Sequence, residues 1–217
     1  MNLFKKSLYG TDIRVIFIFA SLLYIFISVF INEFIISGEL YYNTYADQLS
    51  IDRINKLIHL KDKWEWTGYA LIPVILFIKL LVITLSIEIG VILLDYKVSF
   101  SQIFRVVLIS ELVLIMANIV RNIALFFLDF DTLEEIYNFY PLSILNLINS
   151  KSVNIWLVYP LKLANVFIII YFIVLTNGLS FILRKNPAKM LLFSVSTYGL
   201  CLLVWTMLIM FINIYFS

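Results

Sequence analysis

The chain has 217 residues, 63% of them apolar and only 14% charged, with a net charge of +2; an ordinary soluble domain carries roughly 25% charged residues. That composition excludes a water-soluble fold of this size, which could not hide so much apolar surface. The absence of basic runs speaks against a nucleic-acid partner, and the single cysteine, Cys201, excludes an internal disulfide or a multi-cysteine metal site.

The pattern along the chain is one of long uncharged runs. No charge occurs from Val15 to Asn32, between Lys162 and Arg184, or after Lys189. About 20 apolar residues in an α-helix cross a bilayer core of ~30 Å. The chain therefore reads as an all-α, polytopic membrane helix bundle forming a single membrane domain over 1–217, with spans at about 13–36, 69–94, 103–128, 154–179 and 190–215. The first run is longer than the ~7–15-residue apolar part of a signal peptide and lacks a small-residue cleavage site, so it reads as a retained helix.

Between the first two spans, Ile51, Ile54, Leu57 and Ile58 recur at helical spacing, with Asp52, Arg53 and Lys56 between them and Ser50 placed to cap the start. Trp64, Trp66 and Tyr69 follow. This segment reads as an amphipathic helix on the outer leaflet or on the outer end of the bundle, with aromatic anchors at the headgroups. The second span contains Pro73 in its first turns. A second short apolar piece, Pro141 to Ile148, is too short to span and reads as re-entrant or interfacial. No internal repeat is expected, and so no inverted-repeat transporter signature.

Lys and Arg set the expected orientation. Lys5, Lys6 and Arg14, then Lys97 and Arg105, then Arg184, Lys185 and Lys189 fall on one side. Asp129, Asp131, Glu134 and Glu135, against Lys151, fall on the other. The first–second connection breaks the pattern in part, with Arg53, Lys56, Lys61 and Lys63 offset by five acids; from the other connections the N-terminus is expected in the cytoplasm and the C-terminus outside. Richness in Ile, Leu, Phe, Asn and Lys with little Gly or Pro is that of an AT-rich bacterial genome, and the inner membrane is the expected location.

Polar groups inside spans are costly, so each calls for a partner or a role. The candidate network is Lys79, Glu88, Arg105, Glu111, Asn118, Arg121, Asn122, Lys162 and Asn165. Glu111, Asn118 and Asn122 fall on one face of the third span at ~100° per residue, as a helix-binding stripe or as a transport line. Depth pairs Glu88 with Arg105 and Glu33 with Arg121. Lys162, ~12 Å in from the end of its span, is expected to snorkel outward or to pair with an acid. Tyr159 and Thr176 share its face, and Pro160 is placed to kink the helix. Catalytic machinery is not expected: the lone histidine, His59, lies outside the spans, and no zinc-ligand, nucleophile-elbow or phosphate-loop pattern occurs. Catalytic, cofactor-binding and metal-binding residues are all expected to be absent.

Ser99-Phe100-Ser101-Gln102-Ile103-Phe104-Arg105 before the third span, Leu142 to Leu147, and Ile155-Trp156-Leu157 give residues 65–215 a layout that resembles the Yip-type five-span integral membrane family. Leu8-Tyr9-Gly10 echoes the cytosolic signature of its eukaryotic members, whose long cytosolic tail is absent here, and their trafficking roles are not carried over. The resemblance implies no catalytic residues; the first reading of the chain is a non-enzymatic membrane scaffold or accessory subunit of a complex in transport, secretion or envelope organisation, with the lipid bilayer and a membrane-protein partner or a second copy as its surroundings. The competing reading is a transporter or channel-forming subunit that uses the stripe of the third span.

Overall fold

The computed structural model describes residues 10–148 and 153–216. Lys5, Lys6, Leu8, Tyr9 and Lys151 lie outside the described residues. Among the described residues, five helices are long and apolar enough to cross a membrane. In chain order the elements are α1 (Ile13–Phe34), α2 (Gly38–Tyr45), α3 (Ile51–Leu93), α4 (Phe100–Phe127), α5 (Leu133–Asn138), α6 (Ile144–Leu147), α7 (Ile155–Leu163), α8 (Val166–Leu183) and α9 (Pro187–Ser194). A π-helical turn, Val195–Gly199, joins α9 to α10 (Leu200–Phe216). The apolar helices are α1, α3, α4, α8 and the composite α9–α10.

Caps mark several of the starts. Asp12 accepts from the Arg14 N–H ahead of α1, Thr132 from the Glu135 N–H ahead of α5, and Asn186 from the Ala188 N–H with Pro187 at the first helical position. Ser50 occupies the N-cap position of α3, but its side chain makes no capping bond.

α4 is the central element, with half of its most apolar window buried. It packs against α8, α1 and α3. The main core joins Ile16, Ala20 and Ile27 of α1, Leu80, Ile83 and Ile87 of α3, Val107, Leu108 and Ile115 of α4, and Tyr171, Leu175 and Leu179 of α8. A satellite core of Leu40, Leu125, Leu133 and Ile136 lies where α2 and α5 close over one end of the bundle, called here the capped end. The α3–α4 and α8–α9 connections lie at the other end, where the Lys185 ammonium stands 5.4 Å over the Tyr96 ring. Asp95 and Arg184 take left-handed conformations there as the helices stop.

Two expectations change. The amphipathic stretch is helical, but it is not a separate helix: α3 runs for 43 residues, about 65 Å at ~1.5 Å per residue. No proline separates Ile51 from Tyr69, and both Gly68 and Pro73 are absorbed inside the helix, so the amphipathic part continues straight into the second span. Ile54 is buried, whereas Trp64 and Trp66 are exposed. The Tyr42 hydroxyl bonds the Asn55 carbonyl oxygen and so ties α2 to this extension.

The fourth span, expected as one helix over 154–179, is broken. α7 stops at Leu163, Ala164 leaves the helical region (ψ 82°), Asn165 is extended, and α8 begins at Val166. The spanning piece is α8, reaching Leu183 rather than Leu179.

Candidate functional site

The middle of the bundle holds one fully buried carboxylate. Glu111, in the second quarter of α4, has no exposed surface. Its Oε1 accepts from the Lys79 ammonium of α3 at 2.6 Å and from the Tyr24 hydroxyl of α1 at 2.6 Å. One oxygen thus ties three helices together. Its Oε2 is buried and has no hydrogen-bond partner among the described residues. The burial is lopsided, because the Lys79 side chain keeps 41% of its surface while Glu111 keeps none. An ion pair in a low-dielectric interior holds only where geometry and extra hydrogen bonds offset desolvation, and Tyr24 supplies the extra bond. Across from Glu111, Tyr171 of α8 is fully buried. Its ring lies 5.2 Å from that of Tyr198 in the π-turn. The Tyr171 hydroxyl makes no hydrogen bond of good geometry, and Glu111 acts electrostatically on the hydroxyls of both tyrosines.

The rest of the stripe leads from Glu111 towards the capped end. Asn118 donates to the Leu114 carbonyl of its own helix at 2.9 Å. Asn122 donates across to the Ile27 carbonyl of α1 at 3.3 Å, while its Oδ1 is buried without a partner. Arg121 uses its fork on α5: Nε donates to the Phe139 carbonyl at 2.9 Å and Nη2 to the Ile136 carbonyl at 2.7 Å. A guanidinium on the last carbonyls of a short helix satisfies groups that have no other donor and complements the helix dipole. The Arg121–Glu33 pair expected from depth is therefore not formed: the backbone carbonyls of α5 are the nearer and better-shaped acceptors. Tyr140, in the connection between α5 and α6, interacts electrostatically with both Arg121 and Glu111. Burial raises its phenol above the ordinary value, opposed by the nearby guanidinium.

The break in the fourth span is built by pairing. The Ile144 N–H donates to the Ala164 carbonyl at 3.0 Å and the Val166 N–H to the Leu142 carbonyl at 3.3 Å, so that Ser143 and Asn165 face each other as an antiparallel bridge. The short apolar piece 141–148 thereby satisfies backbone groups that the break exposes, as irregular backbone at membrane depth requires. Asn165 caps both sides: its Oδ1 accepts from the Ile168 N–H and its Nδ2 donates to the Lys162 and Leu163 carbonyls. Leu142 holds a left-handed conformation (φ 59°), strained for a bulky residue. Lys162 donates to the Tyr137 carbonyl. Of the two expected outcomes, snorkelling outward or pairing with an acid, the acid pair is not formed among the described residues, and the ammonium takes a backbone oxygen.

Sequence reasoning missed this pairing although a signal exists. Tyr140-Pro141-Leu142 with Asn146 six residues after the tyrosine recurs as Tyr159-Pro160-Leu161 with Asn165. The two copies are the segments that meet at the break, the first through Leu142–Ile144 and the second through Ala164–Val166. The tyrosine of the second copy accepts from the Trp205 indole N–H of α10 at 3.0 Å.

Glu88 and Arg105 are not brought together. The ion pairs among the described residues are Lys61 with Asp62 and Glu65, and Lys79 with Glu111. Glu88 Oε2 is buried without a hydrogen-bond partner, and Arg105 has an interaction of its own. Neighbouring helices and similar depth bring two charges into one layer, but helix rotation decides whether they face.

Five long apolar helices in an all-α bundle, with a buried carboxylate paired to Lys79 at its centre, make this an integral membrane protein of the lipid bilayer. No family model matches the chain, and no curated protein or solved structure does.

Proposed function

We propose that the protein is a non-enzymatic membrane scaffold or accessory subunit of a larger membrane complex, placed in a bacterial inner membrane with its N-terminus in the cytoplasm. The observation that carries this reading is where the intramembrane polar side chains are spent. Glu111 with Lys79 and Tyr24 ties α4 to α3 and α1, Asn122 ties α4 to α1, and Arg121 ties α4 to α5. Interhelical hydrogen bonds of this kind fix packing. The fifth span is the least buried of the five and keeps Leu203, Val204, Met207 and Phe211 exposed, a long apolar face available to a partner or a second copy as well as to lipid. The layout that resembles Yip-type proteins agrees with this reading. Gentle detergent extraction followed by identification of co-purifying proteins tests it: a stoichiometric membrane partner supports the scaffold, and a chain that stays monomeric and alone speaks against it.

A second reading, a transporter or channel-forming subunit, is favoured by the broken fourth span. Unwound backbone at membrane depth is where several transporter folds bind their cargo. Ion or solute flux by the purified chain in liposomes would establish that reading over the first.

A further inference from the structure

We infer that a file of water enters the bundle from the capped end beside Arg121 and Tyr140, passes Asn122 and Asn118, and ends at Glu111. The inference goes beyond the scaffold reading and does not rest on it.

Two buried polar atoms of α4 carry it, Glu111 Oε2 and Asn122 Oδ1, neither of which has a hydrogen-bond partner among the described residues. In a bilayer no lipid tail can supply one, and an unmet acceptor on a charged carboxylate is the most costly kind. Glu111, Asn118 and Asn122 share one face of α4. Glu111 and Asn122 stand ~16 Å apart along the axis at ~1.5 Å per residue, with Asn118 between them. The line is therefore continuous in direction, and it opens at its end on the half-buried Arg121 and on Tyr140, which senses both Arg121 and Glu111. Water is the ligand that this chemistry selects. A buried water needs about two to four polar partners, and the line offers carboxylate, amide and phenol groups that both donate and accept. A metal cation is disfavoured at the closed end, where the Lys79 ammonium already occupies Oε1. The groups facing Glu111 are Tyr24 from α1, Lys79 from α3, Tyr171 from α8 and Tyr198 from the π-turn, with Tyr140 beyond them.

Cysteine accessibility tests the path. Cys201 is the only native cysteine, so C201S gives a silent background. In that background N122C, N118C and I123C are prepared in lipid nanodiscs, where both bundle ends meet water, and labelled with a charged, membrane-impermeant methanethiosulfonate. Thiols react as thiolates, which form only where water reaches. Ile123 lies at the same depth as Asn122 and is 55% exposed towards lipid. The expected result is labelling of N122C and N118C on the order of tenfold or more faster than I123C, with N122C ahead of N118C. Rates for both equal to that of I123C would overturn the path. Labelling of N122C alone would overturn its reach to Glu111. Among the described residues Asn118 bonds only its own helix, so N118C keeps the test decisive should N122C fail to fold.

Discussion

Gly90 of α3 lies so close to Thr197 in the π-turn that a Cβ placed on it would stand 2.4 Å from the Thr197 Cγ2, and 2.8 Å from the Phe193 ring. The approach locks the second span to the fifth at the end of the bundle opposite α2 and α5. Overpacking a tight contact costs about 1–3 kcal/mol. G90A is expected to lower the thermal midpoint in detergent, and T197S, which removes the colliding methyl, should recover part of the loss. A G90A protein as stable as the wild type would show that the helices are free to part here.

The lopsided burial of Glu111 and Lys79 predicts an asymmetry. Leaving a fully buried carboxylate without its cation costs about 3–5 kcal/mol, whereas a stranded Lys79 keeps surface and can move its ammonium away. K79M is therefore expected to destabilise more than E111L, E111Q less than either, and the K79M/E111L double mutant less than the sum of its parts. Denaturation in mixed micelles measures all four, and equal losses for the two single mutants would contradict the geometry.

Arg121 holds two carbonyls of α5 with separate nitrogens, a task that the single ammonium of lysine cannot perform. R121K should behave nearly as R121M, each losing about 1–3 kcal/mol, and proteolysis should become faster between Leu128 and Tyr140. Wild-type protection in R121K would mean that charge alone suffices.

Glu88 and Arg105 share a layer without an ion pair between them. E88Q and R105Q should then add within about 0.5 kcal/mol in the double mutant. A larger coupling energy in a double-mutant cycle would restore the pair.

Asn165 caps α8 and closes the end of α7 at once. N165A is expected to lose about 0.5–2 kcal/mol, and N165D, which accepts but cannot donate to the Lys162 and Leu163 carbonyls, should recover only part. Amide exchange at Val166 and Ile168 reads the effect directly, and unchanged protection in N165A would show that the backbone bridge suffices without the cap.

The membrane class and the apolar helices follow from the sequence alone, because a bilayer demands long uncharged helices and makes every embedded charge conspicuous. Glu111, Asn118 and Asn122 were legible as one stripe because helical periodicity is a local property. What tertiary structure decided is which groups meet. Lys79 rather than another cation reaches Glu111, Arg121 turns to carbonyls instead of Glu33, and Glu88 does not pair with Arg105, since these outcomes depend on helix rotation and on loops whose course no local pattern encodes. The break at Ala164–Asn165 belongs to the same category. Its residues read as helix by apolarity, and only the Leu142–Ile144 segment, 20 or so residues earlier, offers the backbone an alternative set of hydrogen bonds.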